Sequence, residues 1–171
     1  PEPSEYGSLH RKRIVYTGNL GHRIDYQALM NISVQLEDLD LILIGPKHER
    51  YFKGNDLYRR PNVYFLGPKK YSELPAYLHH SDVLLIPFKS NELTYHIYPL
   101  KLNEYFATGK PVVSSQFTDF GAFESHMHIY TDPADLIPAI KQAIQENDLS
   151  QAHHRISLSA ENTWSHRIAD W

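Results

Sequence analysis

Apolar residues occur in short, continuous runs along the chain, and more polar stretches separate these runs. A run that is apolar at every position is typical of a parallel strand, because helices cover both faces of a parallel sheet. The runs therefore predict an α/β fold with a doubly wound parallel sheet of about six strands and helices on both faces. The predicted strands are Arg13–Thr17, Leu41–Ile44, Val63–Leu66, Val83–Pro87, Pro111–Ser114 and Ile129–Tyr130.

Capping residues, a proline and a glycine mark the helices between the strands. A polar side chain just before a helix can accept hydrogen bonds from its first backbone amides, and a glycine often ends a helix. A proline fits the first helical turn, where its missing amide is not needed. The helices predicted on these grounds are Tyr26–Leu36 after Asp25, Glu73–His79 after Ser72, Glu104–Thr108 before Gly109, and Ala134–Glu146 after Asp132-Pro133.

Composition limits the class of protein. The 171 residues are 42% hydrophobic and 22% charged, which suits one ordinary core and a single domain. The net charge of −3 provides no overall positive field, so we expect no nucleic-acid partner, and any anion site must be local. Cysteine is absent, which excludes disulfides and thiolate metal ligands and agrees with a cytoplasmic location.

The beginning of the sequence predicts a domain excised from a longer protein. Residues 1–12 start without methionine and contain proline, serine and glycine, so we expect a linker followed by one domain over residues 13–171. No apolar run approaches the roughly 20 residues of a membrane-spanning helix. We therefore expect no transmembrane segment.

A loop with two glycines follows the first predicted strand. Its sequence, Thr17-Gly-Asn-Leu-Gly-His-Arg-Ile-Asp25, lies between a strand and a helix, where glycines let backbone amides approach an anion closely. The plain alternative is a tight turn that needs a positive φ. The loop has neither the Walker spacing nor the G-x-G-x-x-G fingerprint, so NAD binding is not expected.

Lys101 and Glu104 form the second candidate feature, because a separation of three residues places them on neighbouring positions of a helix. The structural interpretation is a surface ion pair worth about 0.3 to 0.5 kcal/mol. The functional interpretation gives the two side chains different parts of one ligand to bind. Lys101, inside a helix whose amino end carries partial positive charge, would meet a phosphate, and Glu104 would accept hydrogen bonds from a ribose diol.

Four segments, taken in chain order, carry a resemblance to a known family. They are Phe65-Leu-Gly-Pro68, Glu73-Leu-Pro-Ala-Tyr-Leu78, Ser81-Asp-Val-Leu-Leu-Ile-Pro87 and Pro99-Leu-Lys-Leu-Asn-Glu-Tyr-Phe-Ala-Thr-Gly-Lys-Pro-Val-Val113. Together with the strand spacing from Arg13 to Asn147, they resemble the carboxy-terminal half of retaining glycosyltransferases. These enzymes have the GT-B architecture, in which two Rossmann-like domains face a cleft and the carboxy-terminal one binds a nucleotide-sugar donor.

The resemblance implies roles for individual residues. It makes Glu104 the ribose ligand, places the Gly18–Gly21 loop beside the pyrophosphate, and lines the nucleobase with residues 67–71. Lys101 and Arg23 become the catalytic candidates that stabilise the departing diphosphate, although Arg23 could equally be a solvated loop charge. The donor-binding residues implied in this way are Gly18, Asn19, Gly21, Gly67, Tyr71, Glu92, His96, Pro99, Leu100 and Glu104.

One position departs from the family pattern. The family carries two glutamates eight residues apart, the first of which touches the donor sugar, and His96 stands eight residues before Glu104. Glu92 could approach the sugar instead, but its offset from Glu104 does not match. The donor sugar is therefore left open by the sequence.

The resemblance also implies the partners and the chemistry. A glycosyl group would pass with retention from a nucleotide-sugar to a sugar or lipid-linked acceptor, as in polysaccharide biosynthesis, and an amino-terminal acceptor domain would supply the other wall. No Asp-x-Asp stands in a donor loop, so neither a metal nor another cofactor is expected. His126-x-His128 is interpreted as a polar strand edge rather than a metal site. The full protein could contact the inner membrane surface peripherally.

Two alternatives and one interface expectation complete the picture. The same sheet edge could serve a flavodoxin-like binding or regulatory module, or half of a nucleotide-sugar epimerase. Near the end of the chain, residues 162–171 resemble a final helix that crosses toward the other domain in two-domain enzymes. Trp164 and Trp171 would then face an interface.

Overall fold

One parallel sheet organises the molecule. The computed structural model of the chain describes residues 1–97 and 100–162. The sheet has the strand order β3-β2-β1-β4-β5-β6, which is the order of the doubly wound Rossmann fold and confirms the predicted fold class. The strands are β1 Lys12–Thr17, β2 Leu39–Ile44, β3 Val63–Gly67, β4 Val83–Ile86, β5 Val112–Ser115 and β6 His128–Tyr130.

Six α-helices and four short 3-10 helices are described around this sheet. The α-helices are α1 Tyr26–Gln35, α2 Leu74–His79, α3 Glu92–Tyr95, α4 Leu100–Phe106, α5 Leu136–Gln145 and α6 Leu149–Glu161. The 3-10 helices are Ser4–Tyr6, Asn55–Arg59, Gly121–His126 and Pro133–Asp135.

The strands are largely apolar because both faces of the sheet are covered, although β1 begins with Lys12 and Arg13 and β2 contains Asp40. All six residues of β2 are buried. Successive side chains of β1 point to opposite faces, so Ile14 joins the core under α1 and α5, whereas Val15 joins the core under α2 and α4. Each such aliphatic side chain contributes about 1.5 to 3 kcal/mol through burial.

The predicted cap at Asp25 is confirmed, whereas Asp132 caps the 3-10 turn Pro133–Asp135 that leads into α5, not α5 itself. The Asp25 carboxylate accepts hydrogen bonds from the Gln27 and Ala28 amides at 3.0 and 3.2 Å, and Asp132 accepts from the Ala134 amide at 2.8 Å. The prediction for Ser72 was wrong. The Glu73 backbone caps α2, and the Glu73 carboxylate accepts from the Lys70 amide, so this turn is closed one residue later than predicted.

Helix α6 was not predicted, because few of its residues are apolar and its helical pattern is weak. A fully buried arginine holds it in place instead. The Arg155 guanidinium forms an ion pair with Glu146 and donates to the Gly109 carbonyl at 3.1 Å. Gly109, which follows α4, has a φ of +70°. An added Cβ would lie 3.2 Å from Ile156, so the absence of a side chain allows α6 to pack closely here.

The first residues contribute to the folded domain. Residues 1–12, expected to form a linker, include the buried side chains of Tyr6 and Leu9. The Arg13 guanidinium lies 4.7 Å from the centre of the Tyr6 ring, and Glu5 accepts hydrogen bonds from Lys69 and from Tyr77.

At the other end of the chain, the predicted final helix with Trp164 and Trp171 lies outside the described residues. Within the described ranges, no helix has the length and apolar character needed to cross a membrane.

Candidate functional site

The sheet changes its winding direction between β1 and β4, which are adjacent in space although β2 and β3 come between them in sequence. In open α/β sheets, ligands bind at this point, in the crevice outside the carboxyl ends of the strands. The loop after β1 and the segment after β4 meet there, and backbone hydrogen bonds from Asp25 to Pro87 and from Lys89 to Arg23 join them, both at 2.8 Å.

The glycines of two neighbouring loops pack backbone against backbone. Gly18 has a φ of +138° and Gly45 a φ of +143°, a region that favours glycine. A Cβ added to Gly45 would lie 2.0 Å from the Gly18 carbonyl oxygen. A Cβ added to Gly18 would lie 3.0 Å from Lys101 Nζ and 2.8 Å from the Tyr16 hydroxyl. Gly18 therefore leaves the space that the lysine ammonium occupies.

The loop after β1 lines the crevice, and only some of its backbone amides bond to other protein groups. The amides of Gly18, Leu20, Ile24 and Asp25 bond to backbone carbonyls. Within the described part of the chain, the amides of the other four loop residues bond to no protein acceptor, and all four residues line the same cavity. They are Asn19, Gly21, His22 and Arg23.

This arrangement refines the predicted phosphate loop. The first backbone amides of α1 already donate to the Asp25 carboxylate. An anion would therefore meet the loop amides rather than the end of the helix. Gly18, Asn19 and Gly21, which are proposed from the sequence as donor-binding residues, all line the cavity beside Lys101.

Lys101 rests on aromatic side chains. Its Nζ lies 5.6 Å from the centre of the Tyr16 ring and 5.8 Å from the centre of the Tyr105 ring, within the range of a cation–π contact. Both rings are buried, Tyr16 in β1 and Tyr105 one helical turn after Lys101 in α4. The ammonium thus sits at the crevice rather than in open solvent.

The surroundings of Lys101 lower its pKa. Burial beside the two rings disfavours the charged ammonium, and the Glu104 carboxylate offsets only part of this effect. An anion placed in the crevice would restore the favourable environment of the ammonium. A poorly solvated cation of this kind suits a diphosphate ligand.

Glu104 lies farther along the same helix and faces Tyr71. The Tyr71 hydroxyl donates a hydrogen bond to Glu104 Oε1 at 3.4 Å. Tyr71 is 75% exposed, so its ring borders the site without being fixed by the core. The predicted ribose ligand and the predicted base-bordering tyrosine are therefore neighbours.

Three adjoining cavities form a groove along the carboxyl edge. The first, of about 370 Å³, lies between the loop after β1 and Lys101. The second, of about 230 Å³, shares Gly18 and Lys101 with the first and also contains Glu104 and Tyr71. The third, of about 200 Å³, shares Glu104 and Tyr71 with the second and continues over Leu74 and Ala107. We call these the crevice cavity, the middle cavity and the outer cavity.

The groove does not include every predicted residue. Glu92 is exposed in α3, Leu100 is exposed at the start of α4, and neither lines one of the three cavities. His96 packs edge to face with Tyr95, with ring centres 5.4 Å apart, and also lines none of them. Gly67 also lines none of the three cavities, and its carbonyl accepts a hydrogen bond from the Gly45 amide at 2.9 Å. Pro99 lies outside the described residues.

Arg23 is exposed and lines the crevice cavity together with Lys101. Five residues of this cavity were not predicted, namely Tyr16, His22, His48, Tyr51 and Phe88. Tyr51 lies between the two histidines, with ring centres 5.4 Å from His22 and 4.8 Å from His48. Nothing in the sequence indicated that Tyr51 and the two histidines lie together, because they come from two different loops and no regular spacing along the chain links them.

The histidine pair considered as a metal site is separated in the structure. His126 stacks on His154, with ring centres 5.1 Å apart, whereas His128 contacts the Glu146 carboxylate at 2.9 Å. Among residues 1–97 and 100–162, no group of three histidine or acidic side chains is placed to hold a metal ion.

The fold and the groove define the class: a Rossmann-like α/β domain with a crevice, lined by loop glycines and Lys101, at the switch point of its sheet. The family follows from the sequence, because residues 11–146 match the family described as glycosyl transferases group 1. The chain belongs to this family, as the resemblance predicted.

The chain is similar in sequence or in fold to several named proteins. The chain is 25% identical over 156 residues to the "Putative teichuronic acid biosynthesis glycosyltransferase TuaH" of Bacillus subtilis strain 168, covering 88% of this chain and 39% of that protein. It superposes on HepE from Anabaena, solved with UDP and glucose, with a TM-score of 0.71 and 17% identity, covering 92% of this chain and 45% of HepE.

WaaG, a glycosyltransferase involved in lipopolysaccharide biosynthesis, gives a TM-score of 0.67 at 15% identity, with 93% of this chain and 45% of WaaG covered. At these identities the two structures show the shared fold alone. The chain spans less than half the length of each of these relatives.

Proposed function

We propose that this chain is the donor-binding domain of a two-domain retaining glycosyltransferase. The observation that carries the proposal is the middle cavity, which contains Gly18, Lys101 and Glu104 together. A cation and a carboxylate one helical turn apart can address the diphosphate and the ribose of one nucleotide. Family membership supports a transferase over the flavodoxin-like and epimerase alternatives.

The donor would lie along the groove. Lys101 and the loop amides would bind the diphosphate, with Arg23 at the open side of the same cavity. Glu104 would accept hydrogen bonds from the ribose hydroxyls, and Tyr71 would border the nucleobase. The glycosyl group would then extend into the crevice cavity beside Gly21.

Catalysis by this domain would consist of stabilising the leaving group. As the bond from the anomeric carbon to the diphosphate oxygen breaks, negative charge grows on the diphosphate. Lys101 would interact more strongly with that charge than with the intact donor, because the ammonium is poorly solvated and already in place. Arg23 and the loop amides would add to this effect. The mechanism as proposed requires no metal.

The rest of the enzyme is also proposed. An amino-terminal domain would supply the acceptor wall, consistent with the share of each relative that this chain covers. The name of TuaH supports an acceptor in polysaccharide biosynthesis, either a sugar or a lipid-linked sugar. We propose a cytoplasmic location with peripheral contact at the inner membrane surface.

Nucleotide binding by the isolated chain tests the proposal. Calorimetry with UDP and with GDP should show binding of at least one of them. Glu104→Ala should weaken this binding by about 1.5 to 3 kcal/mol, because it removes a charged hydrogen-bond acceptor. The exposed Glu124 offers a matched control, and Glu124→Ala should leave the affinity unchanged. Binding that survives Glu104→Ala intact would contradict the ribose assignment, and no binding of either nucleotide would contradict the proposed function.

A further inference from the structure

The Tyr105 hydroxyl occupies a position in the sheet where a backbone hydrogen bond is expected. Strands β1 and β4 pair only at Ile14 with Val83 and at Val15 with Leu84. If this parallel register continued, the Thr17 amide would donate to the Leu85 carbonyl. Instead, the Thr17 amide donates to the Tyr105 hydroxyl at 3.0 Å, and that hydroxyl donates to the Leu85 carbonyl at 3.4 Å.

The phenol therefore bridges the two strands where they diverge. It satisfies one donor of β1 and one acceptor of β4, which would otherwise be buried without partners or would bond directly to each other. Burial raises the pKa of Tyr105, so its hydroxyl keeps the proton that it donates to Leu85. Thr17 lines the middle cavity together with Lys101, so the strands diverge beside the site of the ammonium.

The same residue also supports the lysine. Tyr105 follows Lys101 by one helical turn, so both side chains lie on the same face of α4. The Tyr105 ring contacts the ammonium from the α4 side of the sheet, and the Tyr16 ring contacts it from β1. A change at Tyr105 would therefore alter the strand separation and the position of the cation together.

We propose that Tyr105 is a positioning residue: its hydroxyl holds β1 and β4 apart, and its ring holds Lys101 over the resulting crevice. The inference rests on the proposed function only where nucleotide affinity is concerned, because the strand bridge and the environment of Lys101 exist without a ligand. Removing the hydroxyl alone would let Thr17 and Leu85 approach each other, and the narrowed crevice would displace the ammonium toward solvent.

The other groups around Lys101 must be held constant in such an experiment. The charged and titratable side chains that line the crevice and middle cavities with Lys101 are Arg23, Lys69, Glu104, His22, His48 and the tyrosines Tyr16, Tyr51 and Tyr71. None of them is altered by a substitution at Tyr105. A change in the pKa of Lys101 would then report on its position and burial.

The test compares Tyr105→Phe with Tyr130→Phe. The control also removes a buried phenol hydroxyl, but from β6 at the far edge of the sheet. In Tyr105→Phe, the affinity for UDP or GDP should fall about tenfold, by analogy with other losses of precise positioning. The pKa of the Lys101 ammonium, followed by NMR in the ligand-free chain, should rise toward its ordinary value of 10.5. Tyr130→Phe should change neither quantity.

The outcomes separate this inference from the proposed function. If the wild-type chain binds nucleotide but Tyr105→Phe leaves the affinity and the pKa of Lys101 unchanged, the inference is overturned. If the wild-type chain binds no nucleotide, the proposed function fails, and the pKa measurement still decides the role of Tyr105. If Tyr105→Phe does not fold, wild-type NMR decides: a protected hydroxyl proton close to the Thr17 amide supports the bridge, and its absence overturns it.

Discussion

The crevice cavity and the outer cavity lie at opposite ends of one groove, yet they are constructed differently. In the crevice, Lys101 rests on two buried tyrosine rings and faces glycine backbone. Beside the outer cavity, Glu104 meets Tyr71, which is 75% exposed. Core packing therefore fixes the Lys101 ammonium, whereas only surface contacts hold the Tyr71 side chain at the other end of the groove.

This difference separates two tasks in recognition. Groups that stabilise developing charge gain from a rigid, poorly solvated position, because little reorganisation is needed as the charge grows. Groups that recognise a base or a ribose can adapt to the ligand as it binds. We therefore expect substitutions in the crevice to cost more affinity than substitutions of Tyr71.

Lys101→Met should produce the largest change. Nucleoside diphosphate affinity should fall by about 3 kcal/mol, since a charged hydrogen bond to the diphosphate is lost. Folding stability should stay equal or increase, because a partly buried charge is replaced by an apolar side chain of similar length. Calorimetry and thermal melting measure the two effects. Lys141→Met, at an exposed position of α5, is the control and should change neither. Equal losses of affinity in the two variants would contradict a specific role of Lys101 in nucleotide binding.

A comparison of Gly18→Ala with Gly67→Ala separates the effect of backbone strain from the effect of crowding at Lys101. Both glycines have positive φ, so both variants should lose about 1 to 2 kcal/mol of folding stability. Only at Gly18 would the new Cβ crowd Lys101 Nζ, whereas Gly67 has nothing within 4 Å of that position. We expect a further loss of about 2 kcal/mol in nucleotide affinity for Gly18→Ala alone. A similar loss in both variants, measured by calorimetry, would show that strain rather than crowding is responsible.

The pH dependence of binding should distinguish the buried cation from an ordinary surface lysine. A bound diphosphate favours the ammonium, so the pKa of Lys101 should be higher in the complex than in the free chain, where burial lowers it. Affinity is then full below the free-chain pKa and decreases as the pH rises toward the pKa of the complex.

In this pH range the chain should take up protons as it binds, up to one per site. Each unit of pKa difference corresponds to about 1.4 kcal/mol of affinity. Calorimetry in two buffers with different ionisation enthalpies measures the uptake, and Lys101→Met should abolish it. The same uptake in Lys101→Met would assign the proton to another group.

Tyr71→Phe should have the smallest effect. The hydroxyl donates a 3.4 Å hydrogen bond to Glu104 in a region open to solvent, so its removal should change nucleotide affinity by no more than about 0.5 kcal/mol. Tyr71→Ala, which removes the ring, should cost about 1 kcal/mol more if the ring stacks on the nucleobase. If calorimetry shows that removal of the hydroxyl costs more affinity than the further removal of the ring, the expectation that the ring stacks on the nucleobase is contradicted.

The sequence predicted the fold because the relevant signals are local. Continuous apolar runs located all six strands, and Asp25 and Asp132 marked two helix starts. Helix α6 escaped prediction because Arg155, a charged residue with several partners distant in sequence, secures it. The same reasoning failed at Ser72, where the choice between adjacent capping residues depends on how the preceding turn closes.

For the candidate site, the sequence by itself determined the residue types and their helical spacing: two loop glycines, and Lys101 three residues before Glu104. Only the tertiary structure placed Lys101 on Tyr16 and Tyr105, and inserted the Tyr105 hydroxyl between β1 and β4. Thr17 and Tyr105 are 88 residues apart, and no local period links them. The spacing of side chains along an element follows from the sequence, but their burial and their partners depend on how elements pack. Here packing gives Lys101 and Glu104 two different environments.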